Sequence, residues 1–165
     1  MTREEAGLPG RSDPSRPDFV PVLFRHPDRK CSVCRLFLRV RYAETDRMSI
    51  AYNAHYLTWF EIGRTELMRC SGMSYREVEE RGILLPMVEA GMKLRAPIAY
   101  DELIRVESWV SRMRSRAITF AYEIYTGTQL AAEGTTTHAS LAAGSRDTVA
   151  LPDWVRLRLA PLLAP

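Results

Sequence analysis

The strongest constraint on this chain is one long apolar stripe with helical spacing, followed only by short turns and strand-like runs. Tyr56, Phe60, Gly63, Leu67 and Cys70 recur at intervals of four, three, four and three residues, which makes a continuous stripe on a helix. Leu57, Trp59, Ile62 and Met68 widen that surface. The pattern predicts a helix from about Ala54 to Cys70 that is covered on most sides. Gly63 in mid-stripe lowers helix propensity and makes sense where a sheet comes close. Asn53 is placed to cap the start, and Ser71-Gly72 stops the helix. A short second helix is expected from Tyr75 to Arg81, ending at Gly82.

Before the long helix, Leu36, Leu38, Val40 and Tyr42 alternate with Phe37, Arg39 and Arg41, the period of a strand. After it, four strand-like segments are expected at 84–95, 102–113, 117–126 and 129–142. Ile104, Val106, Ser108 and Val110 share one face of the second; Ile118, Phe120, Tyr122 and Ile124 share one face of the third. Turn signals at Pro97–Asp101, Arg114–Arg116 and Gly127 leave short links, so the four should form an antiparallel meander. A last short helix is expected over Asp153–Leu163. The sheet must wrap the helix, because both carry extensive apolar surface. The fold class is therefore α+β: a long central helix wrapped by a five-stranded antiparallel sheet, the hot-dog architecture.

With 165 residues the chain suits one domain with a real core. Five of its ten prolines (Pro9, Pro14, Pro17, Pro21 and Pro27) fall before residue 34. Residues 1–33 therefore read as a flexible N-terminal tail and 34–165 as the domain. A formal net charge of +3 gives no footprint for nucleic acid. Three cysteines with no secretory leader favour a reducing, cytoplasmic setting. Cys31-Ser-Val-Cys34 has metal or redox spacing, but no second pair and no histidine cluster completes a site. Neither a metal nor a cofactor is called for, and no apolar run approaches the ~18 residues of a membrane span.

The chemistry concentrates in residues 41–66. Asp46 stands in a polar loop seven residues ahead of Asn53. A helix start offers unpaired N–H groups and a positive dipole end. Hydrolysis of a thioester requires donors for the developing oxyanion, and a carboxylate that attacks the carbonyl or activates water. One strand-loop-helix unit can supply both.

This stretch resembles the 4-hydroxybenzoyl-CoA thioesterase family, including its Tol-Pal-associated acyl-CoA thioesterases. The matching residues are Thr45-Asp46, Tyr52, Tyr56, Trp59-Phe60-Glu61 and Arg64-Thr65-Glu66. The likeness runs over about 36–142 in element order and is specific mainly over 41–69. It implies hydrolysis of an acyl- or aryl-coenzyme A, with Asp46 as nucleophile or general base and the Asn53 backbone N–H polarising the thioester carbonyl. Tyr52, His55 and Tyr56 are candidate substrate contacts; the tyrosines suit core packing equally, and His55 could instead orient Asp46 or cap the helix. The family commonly has Gly where Ser49 stands, His or an aromatic residue at Asn53, and Asn at His55.

Arg112, Arg114 and Arg116 put three arginines within five residues at a strand link. They resemble the basic tract that meets coenzyme A phosphates, and Arg forks suit phosphate oxygens. A charged hairpin tip that blocks aggregation is the plain alternative. Lys93 and Arg95 could add charge. Glu61 and Glu66 on the helix are rival acids, Glu44 reads as solvated, and His138 as structural. A homodimer or homotetramer is expected, since one wrapped sheet leaves an open edge. Two other functions remain open: hydrolysis of an acyl group on a carrier protein, and acyl-CoA binding without catalysis.

Overall fold

The computed structural model describes residues 20–165. The long helix α1 runs Ala54–Cys70 and buries Tyr56, Trp59, Phe60, Leu67 and Met68. Its Gly63 lies close against the sheet. A Cβ there would stand 3.1 Å from Val106 Cγ1 and 3.5 Å from Ser108 Cβ. Ser108 Oγ donates to the Gly63 carbonyl at 2.8 Å, so helix and sheet are joined by a hydrogen bond as well as by contact. The helix starts without the expected cap: Asn53 has helical dihedrals (φ −54, ψ −31) and its side chain accepts no cap hydrogen bond.

The strands are β1 Val22–Arg25, β2 Ser32–Arg39, β3 Ile83–Leu84, β4 Met87–Leu94, β5 Leu103–Met113, β6 Ala117–Thr126, β7 Gln129–Ala139 and β8 Leu141–Ala142. Six of them form one sheet in the order β1-β2-β5-β6-β7-β4, every neighbouring pair antiparallel. The faces follow the alternation: Ile104, Val106, Val110, Ile118, Phe120 and Ile124 are all buried toward α1. Phe60 stacks on Tyr122 with ring centroids 4.4 Å apart, tying helix to sheet at mid-length.

Three expectations are corrected. The sheet has six strands rather than five, because Val22–Arg25 pairs with Arg35–Ser32. The tail reading therefore fails for the segment just before residue 34; its remainder, residues 1–19, lies outside the described residues. The segment 84–95 splits at Pro86, which cannot donate to a ladder, into β3 paired with β8 and the longer β4. And the meander covers only β5, β6 and β7: β4 pairs with β7 at the far edge instead of with β5. The reason is the link after β4. Arg95 and Ala96 still bond the Ala131 carbonyl, whereas Ile98 O accepts from Ala51 N–H at 2.7 Å and Asp101 N–H reaches Val40 O at 3.0 Å. The link thus crosses from the edge strand β4 to the interior strand β5 past the chain entering α1, so the helix is enclosed.

Helix α2 runs Tyr75–Glu80, with the Ser74 side chain accepting from Glu77 N–H. Helix α3 runs Asp153–Leu159 and continues as a 3-10 turn over Ala160–Leu162. No helix of the described residues is long and apolar enough to cross a membrane.

Candidate active site

The chain between β2 and α1 is built around one acid that local polarity conceals. Glu44 ends a 3-10 turn, Tyr42–Glu44, and is only 3% exposed. Its Oε2 accepts from Arg41 N–H at 2.7 Å. Its Oε1 accepts from Arg41 Nη2 at 2.8 Å and from Trp59 Nε1 of α1 at 3.1 Å. Its carbonyl accepts from Tyr52 N–H at 2.8 Å. Burial alone would push this carboxyl up, but the Arg41 side-chain and backbone hydrogen bonds, the Trp59 N–H and the Arg41 charge outweigh it and hold it below the usual carboxylate range. Glu44 is therefore the clamp between loop and helix and not a solvated residue.

Beyond the clamp, Thr45 pairs with Ala51, and the chain between them is a tight hairpin. Asp46 N–H donates to Ile50 O at 2.9 Å and Asp46 O accepts from Ser49 N–H at 3.0 Å. Ser49 closes the turn with φ +62, the left-handed region that glycine occupies without strain. Half-buried Asp46 uses Oδ1 to accept from Met48 N–H at 2.7 Å, an Asx turn. Its Oδ2 makes no hydrogen bond among the described residues. Around it, Tyr42, Thr45, Arg47, Ser49 and Tyr100 line a depression of about 510 Å³. Tyr42 and Tyr100 meet edge to face at 5.7 Å to form one wall, a pairing of distant loops that no local pattern signals.

At the helix start, His55 N–H bonds Tyr52 O and Tyr56 N–H bonds Asn53 O. The N–H groups of Asn53 and Ala54 make no backbone bond among the described residues, and both residues are exposed. Tyr52 is 52% exposed, and its ring lies 6.4 Å from that of half-buried His55. The His55 side chain makes no hydrogen bond to Asp46. Tyr56 is 2% exposed and packs on Trp59 at 5.0 Å, in keeping with its place in the apolar stripe.

The arginine tract lies elsewhere. β5 ends at Met113, so Arg114 and Arg116 fall in a turn beyond the strand. The turn is closed by Arg114 N–H to Ala117 O at 2.8 Å and braced by Ser140 N–H to Arg116 O at 2.9 Å. From α3, Arg156 Nη1 donates to Arg114 O at 3.1 Å, which brings a fourth guanidinium to the cluster. Arg112, Arg114 and Arg116 are exposed, and none makes an ion pair among the described residues. Asp46 and this hairpin sit at opposite ends of β5, roughly 30 Å apart at ~3.3 Å per residue. One copy of the chain does not bring them together.

The thioesterase-like superfamily model matches residues 40–159, from the end of β2 through α3. The chain belongs to the thioesterase-like superfamily. It is similar to YneP of Bacillus subtilis (strain 168), with 34% identity over 71% of this chain and 88% of that protein. It is also similar to the acyl-CoA thioesterase YbgC of Haemophilus influenzae, with 28% identity over 72% of this chain and 88% of that one. Among solved structures it resembles a DHNA-CoA thioesterase from Staphylococcus aureus: TM-score 0.71, 29% identity, 75% of this chain and 87% of that chain. A hypothetical protein from Thermus thermophilus gives a TM-score of 0.74 at 31% identity, covering 78% and 98%. The α+β hot-dog fold stands on these likenesses and on the wrapped helix.

Of the rival acids, Glu66 pairs with Arg69, while Glu61 is exposed about two turns into α1. Arg95 pairs with Glu133 at 2.6 Å, so its charge is spoken for. His138 is buried, as expected of a structural residue. Cys31 and Cys34 are buried free thiols, and no cluster able to hold a metal occurs among the described residues.

Proposed function

We propose that the chain hydrolyses an acyl- or aryl-coenzyme A thioester to the free acid and coenzyme A, with Asp46 as the reacting carboxylate. The observation that carries this reading is one loop-helix unit that holds both a carboxylate with one oxygen fixed in a turn and the other free and, seven residues on, helix-start N–H groups that make no backbone bond among the described residues. The names of YbgC and of the Staphylococcus aureus protein support the same substrate class. Asp46 Oδ2 either attacks the thioester carbon, giving a mixed anhydride that water then cleaves, or takes a proton from the attacking water. In both routes the C–S bond breaks, the thiolate leaves and acquires a proton, and the Asn53 N–H stabilises the oxyanion. Tyr52 and His55 flank the helix start on the substrate side. The three free thiols suit a reducing, cytoplasmic setting.

The arginine tract is read as the nucleotide's phosphate contact, contributed by a second copy because of the separation along β5. A homodimer or homotetramer would supply it. The support is β4, an edge strand exposed along its whole length, which carries Met87, Val88, Met92 and Leu94 and has no strand beyond it among the described residues. Such an edge invites a second strand. Sedimentation at micromolar concentration should show at least a dimer; a fully active monomer would remove this part. The carrier-protein reading keeps one observation in its favour. Leu157 is exposed on α3 between Arg156 and Arg158, a surface suited to an acidic helix. A turnover panel of aliphatic and aromatic acyl-CoAs, with released thiol as readout, tests the main reading. Turnover of none of them, alongside turnover of acyl-carrier protein, would transfer the function to the second.

A further inference from the structure

A cavity of about 390 Å³ opens beside the middle of α1, away from Asp46, and the Leu57–Arg64 side of the helix forms its floor. Its buried polar groups form a chain that is complete without a ligand. Tyr122 Oη lies 2.7 Å from Thr136 Oγ1, and Thr136 Oγ1 lies 2.9 Å from His138 Nε2. His138 Nδ1 is 2.9 Å from the Leu85 carbonyl. A carbonyl only accepts, so Nδ1 carries the proton, Nε2 accepts from Thr136, and Thr136 accepts from Tyr122. Burial, with the Arg64 charge beside it, lowers the His138 pKa to about 4, so the ring is neutral at pH 7.

That assignment leaves Arg64 without an acceptor. The residue is only 9% exposed, and among the described residues its one hydrogen-bond-range contact is His138 Nδ1 at 3.4 Å, a position that already holds a proton. Rings of Tyr75 at 5.2 Å and Phe120 at 6.0 Å hold the guanidinium but leave its N–H fork unmet. Glu61 on the same cavity is exposed and makes no ion pair with it among the described residues. The N–H groups of Arg64 that make no hydrogen bond to the described residues open on the cavity, where a carboxylate can meet them.

We propose that this cavity is a binding site for a small organic carboxylate, with both oxygens on the Arg64 fork and its apolar body against Tyr75, Pro86 and Met87. A single guanidinium facing Glu61 suits a monoanion better than a phosphate dianion, and the apolar walls require a hydrocarbon body. Two sources present that chemistry: the free acid released by hydrolysis, and a second carboxylate at the far end of an acyl chain. Only this choice of source rests on the proposed thioesterase activity; the binding itself does not.

The test uses the full chain with benzoate, hexanoate and benzamide, followed by calorimetry and by the ring signals of His138. Both carboxylates should bind and shift those signals. Benzamide, of the same shape without charge, should bind at least ~10-fold more weakly. Arg64→Gln should weaken benzoate by a similar factor, and if that variant does not fold, the benzoate-to-benzamide ratio in the unaltered chain decides. Equal binding of benzamide, or benzoate binding that leaves His138 unmoved, overturns the proposal. If the chain hydrolyses thioesters, a free-acid site predicts that Arg64→Gln relieves inhibition by the product acid. A distal-carboxylate site predicts a KM raised for glutaryl-CoA and not for hexanoyl-CoA. A chain that binds benzoate as stated yet cleaves no thioester would sink the hydrolase reading and leave this one standing.

Discussion

At the Leu103 end of β5 the loop carrying Asp46 is fastened by side chains: Glu44 grips Arg41 and the Trp59 ring of α1, and Asp46 closes its own turn. At the Met113 end the arginine hairpin is fastened through its backbone, by Ala117, Ser140 and Arg156, and its guanidinium groups are exposed and make no ion pair among the described residues. Both ends are polar and both sit on loops, but the proposed function gives them different work. A group that attacks a carbonyl must be held to a fraction of an ångström. Cations that gather a polyanionic nucleotide act over a longer range and lose little by moving.

The largest effect should come from Asp46→Asn. The amide still accepts from Met48 N–H, so the hairpin and the melting temperature should survive, while kcat falls by at least ~100-fold. Glu66→Gln, on an acid already paired with Arg69, should leave kcat nearly unchanged.

Next in size is the clamp. Glu44→Ala strands a buried indole N–H and the Arg41 contacts, and should cost about 2–4 kcal/mol in denaturant unfolding. Glu44→Gln exposes the charge through pH. Because the folded carboxyl lies below its unfolded value of about 4.3, its contribution is complete above that value and fades as pH falls through the folded one. The gap in melting temperature between the two proteins should therefore be widest near neutrality and narrow below about pH 4. A gap independent of pH would mean that Glu44 contributes shape and not charge.

At the other end, Arg114→Ala with Arg116→Ala should raise KM several-fold and shift stability by no more than about 0.5 kcal/mol, the range of exposed substitutions. Smallest of all is Ser49→Gly. It relieves a left-handed φ worth roughly 1–2 kcal/mol but loosens the unfolded chain by about 0.4–1 kcal/mol. A net gain under ~1 kcal/mol in unfolding free energy is expected, and a loss would show that the Ser49 side chain contributes something the turn geometry does not.

The sequence carried most of the fold, for a physical reason. The bounds of α1 are written locally, in the stripe and in Ser71-Gly72, and the faces of β5 and β6 in simple alternation. The failures concern partners distant in sequence. Nothing in Met87–Leu94 says that its ladder lies on β7, because that depends on how the following link passes α1. Val22–Arg25 is too short to show a period among prolines, and it becomes a strand only because β2 offers an edge. In the site, Asp46 and the helix start were legible because one short segment holds both. Glu44 was not, because its burial is imposed by Trp59 from a turn and a half into the helix. Arg64 stood in the motif, but its lack of an acceptor follows from His138, which β7 supplies.

The most direct test of the division of labour presents one acyl group on two thiols, coenzyme A and the short N-acetylcysteamine, and compares kcat/KM for wild type, Asp46→Asn and the Arg114/Arg116 double variant. The account predicts that Asp46→Asn loses at least ~100-fold on both substrates, whereas the arginine variant loses activity only on the coenzyme A thioester. Retained hydrolysis by folded Asp46→Asn, or an equal loss on both thiols in the arginine variant, would contradict it.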